Sequence, residues 1–159
     1  MKVFYKNSQK VLRIDRDQVK SLVRAFLHWK RVRCEEVGVY FVNKVTITEL
    51  HNLYFQDPTP TDCISFPMDL LEEGDAKYRV LGELFICPEV ACEYAKENDL
   101  SSWQELSLYI VHGLLHLLGY SDCDPLDISV MRKEENLAMR YLHSKGKLLY
   151  ETILTKSSC

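Results

Sequence analysis

The sequence predicts a single α+β domain over residues 1–159: a small mixed β-sheet packed with helices, one of them buried at the centre. Short runs of β-branched and aromatic residues alternate with longer stretches of helical periodicity. The stretch 102–118 is apolar on nearly every side, as a helix enclosed by neighbours must be. A length of 159 residues suits one core and is short for two. Hydrophobic residues at 47% and charged residues at 27% are the usual balance of a globular chain.

Residues 3–5 and 11–14 carry short strand signals. Over 15–33, Val19, Leu22, Val23, Phe26 and Leu27 recur at helical spacing, with Arg16, Lys20, Arg24 and Arg31 on the outward side. Residues 37–42 read as a buried strand. Residues 46–54 read as a short helix with Thr46 as N-cap and Glu49 completing a capping box. Residues 62–68 and 79–87 read as two strands of a hairpin, joined by the polar segment 69–77. Pro88 opens a helix to about Asn98. Ser102 and Glu105 form a second capping box, which starts the apolar helix ending at Leu118. Asp124 followed by Pro125 pairs an N-cap with proline at the first helical position, and this last helix runs to about Ser144. The tail after Gly146 carries no clear signal.

Within the apolar helix, His112 and His116 stand four residues apart. That spacing turns the chain through about 400°, so both imidazoles share one face, about 6 Å apart along the axis. Two imidazoles in an apolar helix are costly without partners, and a shared cation satisfies both. Gly119 then supplies the left-handed turn that ends the helix and brings Asp122 back to the position of a third ligand. His-x3-His-x2-Gly-x2-Asp therefore reads as a zincin-like helix binding one divalent metal through His112, His116 and Asp122, with zinc the expected ion. Metallopeptidases of the His-Glu-x-x-His type carry their general base directly after the first histidine. Gly113 stands there, which argues against a peptidase. No general base is assigned; Asp62, Ser65 and Glu83 are read first as structural. Cys123 is a competing ligand, one residue out of register. Asp124 is read as a cap, and His28, His51 and His143 as surface or structural residues.

Six cysteines without a CxxC pair read as reduced thiols. The start lacks the apolar run of a signal peptide, and no run approaches the roughly 20 residues of a bilayer span, so the expectation is a cytoplasmic protein without a membrane partner. The net charge of −3 conceals an asymmetry. Residues 1–33 hold ten Lys or Arg against two Asp, a net of +8, and the remainder carries −11. Lys20, Arg24 and Arg31 read either as a solvated helix face or as candidate contacts for the phosphates of an anionic polymer.

Three blocks, in order, resemble a known family. His112-Gly113-Leu114-Leu115-His116-Leu117-Leu118-Gly119-Tyr120-Ser121-Asp122 is similar to the YbeY signature His-Gly-x-Leu-His-Leu-x-Gly-Tyr-Asp-His. Pro60-Thr61-Asp62-Cys63-Ile64-Ser65-Phe66-Pro67 resembles its Pro-Thr-Asp-Val-Leu-Ser-Phe-Pro, and Leu81-Gly82-Glu83-Leu84-Phe85-Ile86-Cys87 its Leu-Gly-Asp-Ile-x-Ile-Cys. The resemblance spans about residues 35 to 142. It implies the same α+β fold, three metal ligands, and a metal-dependent single-strand endoribonuclease. The implied roles are ribosomal RNA maturation at the 3′ end of the small-subunit RNA and ribosome quality control. The implied partners are ribosomal RNA, the small ribosomal subunit and ribosomal proteins. The chain departs from the pattern at Asp122, where the family has a third histidine, at Phe55, in the region of a family arginine associated with RNA handling, and at Glu83 for aspartate. Those departures keep a second expectation open: a non-catalytic ribosome-associated assembly factor with a structural metal.

Overall fold

The computed structural model describes residues 1–69 and 78–153. Among them the chain runs β1 (Lys2–Asn7), α1 (Arg16–Trp29), β2 (Cys34–Phe41), α2 (Lys44–Phe55), β3 (Cys63–Pro67), β4 (Tyr78–Ile86), α3 (Pro88–Glu97), α4 (Ser102–Leu117) and α5 (Pro125–Ser144). This is the α+β class that the sequence predicts, with one four-stranded mixed sheet in the order β1-β2-β4-β3. β1 lies parallel to β2, from Lys2 opposite Glu36 to Asn7 opposite Phe41. β2 lies parallel to β4, and β3 runs antiparallel to β4. Parallel neighbours need a crossover between them. α1 lies on the first crossover; α2 and β3 occupy the second.

Local hydrogen bonding explains where the elements depart from the sequence reading. No strand forms at 11–14, because the buried Gln9 side chain takes those backbone groups. Its Oε1 accepts from Val11 N at 2.9 Å and Leu12 N at 3.0 Å, and its Nε2 donates to the Leu12 carbonyl at 2.7 Å. α1 stops at Trp29 rather than continuing to Arg33. Arg31 turns to φ 57°, and the amides of Arg31 and Val32 fold back onto the carbonyls of His28 and Leu27. α2 starts earlier than expected, because Asn43 rather than Thr46 caps it, accepting from Thr46 N at 2.8 Å. Ser101 rather than Ser102 caps α4, while Asp124 caps α5 as the sequence indicates. The hairpin of β3 and β4 is present; of its connection, 70–77 lie outside the described residues.

The central helix is α4. Leu106, Ile110, Val111, Leu114 and Leu115 on it are fully buried. Each such side chain stabilises the fold by roughly 1.5–3 kcal/mol relative to exposure. α4 packs on α3, α5, β3 and β4. At Gly113 the helix comes so close to the sheet that a Cβ would stand 2.8 Å from Cys63 Sγ and 2.9 Å from Leu84 Cδ2. The Gly113 carbonyl accepts the Ser65 hydroxyl at 3.2 Å. Past α5, the tail returns to the core: Leu149 is buried and its amide donates to Ser107 Oγ at 2.9 Å. Among the described residues no helix is long and apolar enough to cross a membrane.

Candidate metal centre

α4 carries His112 and His116 one turn apart on the face next to α5 and β3. α4 ends at Leu117, and Gly119 at φ 95° reverses the chain. The reversal brings Asp122 over the end of the helix. His112 Nε2 and His116 Nε2 lie 2.9 Å apart, and Asp122 Oδ2 stands 3.6 Å from the first and 3.4 Å from the second. The three side chains are a cluster able to hold a metal ion. Cys123 is exposed and is no part of that cluster.

The donor set fits a divalent ion. Ligand bonds of about 2.0–2.1 Å at a tetrahedral angle place ligand atoms about 3.3 Å apart, close to the three separations here. Both Nδ1 atoms face acceptors. His112 Nδ1 donates to Glu135 Oε1 at 2.6 Å, and His116 Nδ1 to the Tyr120 carbonyl at 2.9 Å. With protons fixed at Nδ1, both Nε2 lone pairs point at the same space. At 2.9 Å the two Nε2 atoms are placed to share one proton as a hydrogen bond or to face one metal cation.

Glu135 comes from α5, where it is buried and shares a stripe with Met131, Ala138 and Leu142. Its second oxygen accepts from Arg132 Nη1 at 2.9 Å. Burial, the largest influence, works to raise the Glu135 carboxyl pKa. The hydrogen bonds from His112 and Arg132, together with their charges, overcome it and hold the group below the usual carboxylate range. For His112 burial pulls the imidazole pKa down. The Glu135 hydrogen bond, then the charges of Glu135, Asp62 and Asp122, carry it above its ordinary value. Arg132, Glu135 and His112 thus form a relay that aims Nε2 at the ligand position.

The three side chains open into a cleft of about 400 Å³. Its walls include Asp62, Cys63 and Ser65 from the start of the hairpin, and His51 and Phe55 from α2. Burial pushes the Cys63 thiol pKa far up, so it stays protonated and is no nucleophile at neutral pH. Glu83 instead accepts the Tyr40 hydroxyl at 3.1 Å on the sheet. His51, read from the sequence as a surface or structural residue, lines the cleft. Glu135 and Arg132 were not singled out by sequence reasoning. The available signal was a carboxylate on the buried stripe of α5, at positions 131, 135, 138 and 142.

The basic candidates lie apart from the cleft lining. Lys20 is half-buried on α1, Arg24 is exposed, and Arg31 lies beyond the helix in its terminal turn. Arg31 shares a separate groove with Lys30, Arg33, Tyr78 and Tyr120. That groove adjoins the metal turn, because Lys30 Nζ donates to the Tyr120 hydroxyl at 2.8 Å while the Tyr120 carbonyl holds His116.

The family model described as Endoribonuclease YbeY matches residues 4–143. Curated relatives carry the same name. One from Protochlamydia amoebophila is 43% identical over 136 residues, covering 86% of this chain and 89% of the relative. One from Chlamydia trachomatis serovar D is 35% identical over 149 residues, covering 92% and 91%. One from Chlamydia abortus is 38% identical over 153 residues, covering 94% and 96%. Among solved structures, the chain is similar to the solution structure of TM1509 from Thermotoga maritima. The TM-score is 0.63 with 23% identity over 92% of each chain, a likeness of fold.

Proposed function

The chain belongs to the YbeY endoribonuclease family, and from that premise we propose that it is a metal-dependent endoribonuclease acting on single-stranded RNA. Its proposed setting is ribosomal RNA maturation, at the 3′ end of the small-subunit RNA, and ribosome quality control in the cytoplasm. The observation that supports metal dependence most directly is the triangle of His112 Nε2, His116 Nε2 and Asp122 Oδ2, backed by the Glu135 relay. We take zinc as the resident ion, since two imidazoles and one carboxylate are a common zinc donor set. His112, His116 and Asp122 would hold the ion at the wall of the cleft. A divalent ion held there supplies Lewis-acid chemistry, polarising a phosphoryl oxygen and acidifying water.

The chain's own residues supply the rest. Glu135 and the Tyr120 carbonyl accept at the Nδ1 atoms of the two imidazoles and so orient both Nε2 atoms inward. Gly113 puts no carboxylate beside the first ligand, unlike the peptidase arrangement. Asp62 is a further carboxylate on the cleft wall and is close enough to influence His112. Lys20, Arg24 and Arg31 are proposed contacts to the RNA backbone outside the cleft.

The test is cleavage of an end-labelled single-stranded RNA by zinc-loaded protein, beside the His112→Ala, His116→Ala double variant. Internal cuts by the parent, abolished in the double variant together with metal binding, are the expected result. Equal cleavage by both proteins would remove the metal from the reaction. A metal-replete parent that cuts no RNA yet co-sediments with small subunits would favour the assembly-factor reading.

A further inference from the structure

The cleft that holds the ligand triangle has a lining unlike that of a backbone-binding channel. Among the described residues it contains no Lys and no Arg, while Asp62 and Asp122 both face it. Among the described residues, no cationic side chain of the lining therefore supplies phosphate neutralisation, the usual source of RNA affinity. The cleft offers one large apolar surface near the ligands instead: the Phe55 ring, 55% exposed.

The chain that carries that ring is anchored on both sides. Phe55 ends α2, and the chain behind it is tied down. Thr59 N donates to Asp57 Oδ1 at 2.9 Å, and His51 Nδ1 donates to the Thr59 carbonyl at 2.7 Å. The His51 ring lies 5.8 Å from Phe55, tilted by 55°. Beneath α2, Tyr54 packs edge-on against Phe66 at 4.8 Å, anchoring the last turn to the sheet. An aromatic side chain on an anchored backbone, with only two χ angles to fix, costs little entropy to engage. Every nucleobase has a π-face, and stacking on an aromatic side chain is how proteins hold unpaired bases without reading sequence.

We infer that Phe55, flanked by His51, is a stacking platform for one unpaired base of the RNA, placing the neighbouring phosphodiester at the ligand triangle. The inference rests on the endoribonuclease reading and adds to it what selects the substrate. A duplex keeps its bases stacked on one another and cannot offer a free face, so the platform favours single strands. Phe55 is a substrate-positioning residue; it moves no proton and holds no metal.

The experiment compares zinc-loaded parent, Phe55→Ala, Phe55→Leu and Phe55→Trp, with binding of a labelled single-stranded oligonucleotide read by fluorescence anisotropy and cleavage read as KM and kcat. The position is exposed, so all four proteins should fold; melting temperature and zinc content check this. A base–aromatic stack is worth about 1–3 kcal/mol, which corresponds to about 5- to 160-fold in affinity. Phe55→Ala and Phe55→Leu should lose affinity in that range, with zinc content unchanged, and Phe55→Trp should retain it. Removing the base that stacks, by an abasic scan of the oligonucleotide, should cost the parent the same factor and cost Phe55→Ala nothing. If Phe55→Ala binds and cleaves like an active parent, the platform falls and the endoribonuclease reading stands. If the parent neither binds nor cleaves RNA, both fall.

Discussion

Glu135→Gln separates a designed metal site from a chance meeting of two histidines and a carboxylate. The substitution keeps volume and shape and removes one charge. Glu135 is a strong candidate for a large effect, because its side chain is 4% exposed and bonds His112 Nδ1 at 2.6 Å. A short, charge-assisted hydrogen bond shielded from water contributes about 1.5–3 kcal/mol. Second partners of ligating histidines cost about 10- to 100-fold in metal affinity when removed, or about 1.4–2.7 kcal/mol. The two ranges agree, so zinc affinity should fall by one to two orders of magnitude in competition with a chromophoric chelator. Arg132→Ala should cost less, below about tenfold, because that guanidinium is 67% exposed and screened. In metal-free protein the His112 titration, followed by NMR, should move down in Glu135→Gln, since burial remains and its main counter-charge is gone. The pair also sets a pH window. The His112 contribution to stability is present at low pH and is lost as pH rises through the raised folded value. The Glu135 contribution is present above the ordinary carboxylate range and is lost as pH falls through the lowered one. Metal-free stability from this pair should therefore peak between the two, and zinc affinity should climb as His112 loses its proton. A folded Glu135→Gln with zinc affinity within twofold of the parent would refute the relay.

Two further outcomes follow from the same geometry. Asp122→Ala should weaken zinc binding clearly and Asp122→His should keep or tighten it, whereas Cys123→Ala should change nothing; zinc binding abolished by Cys123→Ala and retained in Asp122→Ala would shift the ligand register by one residue. Gly113→Ala should lower the urea midpoint despite a helix-propensity gain of about 1 kcal/mol, because its Cβ meets Cys63 Sγ and Leu84 Cδ2 below 3 Å and overpacking costs about 1–3 kcal/mol. Adding Cys63→Ala should recover part of that loss, and a Gly113→Ala variant as stable as the parent would show that helix and sheet are less tightly apposed.

Much of this site was legible because it is local. Two histidines at i and i+4, a glycine turn and a carboxylate three residues later lie within eleven consecutive residues. Helical geometry sets the two imidazoles on one face, and the turn at Gly119 returns the carboxylate to them. The mixed sheet was legible in its strands but not in their order, since the β1-β2-β4-β3 arrangement depends on crossovers that no local pattern encodes. The cap of α2 was misplaced because Asn43 and Thr46 are both good capping residues, and the side chain that reaches the free amide decides between them. Glu135 was missed for a different reason. It joins the site from another helix, so its contact with His112 exists only once α5 is packed. A carboxylate on the buried stripe of α5 was the one sign that a partner waited across the interface.

The fold places cations and the aromatic ring on different parts of the molecule, so two sources of RNA affinity should separate by salt. Lys20, Arg24 and Arg31 lie outside the cleft lining, and Phe55 lies in it. Each neutralised phosphate releases counterion and adds roughly −0.7 to the slope of log K against log salt for a single strand. Reversing Lys20, Arg24 and Arg31 to glutamate should lower affinity at low salt. It should also flatten the slope by about 0.7 for every phosphate that is no longer neutralised, with zinc content unchanged. Phe55→Ala should lower the whole line and leave its slope alone, because stacking releases no counterion. Combining the two sets should give additive losses, since independent sites on separate surfaces couple little. Should the triple reversal bind RNA with the parent's affinity and slope, the basic quarter of the chain is only a solvated surface. Affinity would then have to come from the cleft alone, and Phe55→Ala would be expected to remove most of it.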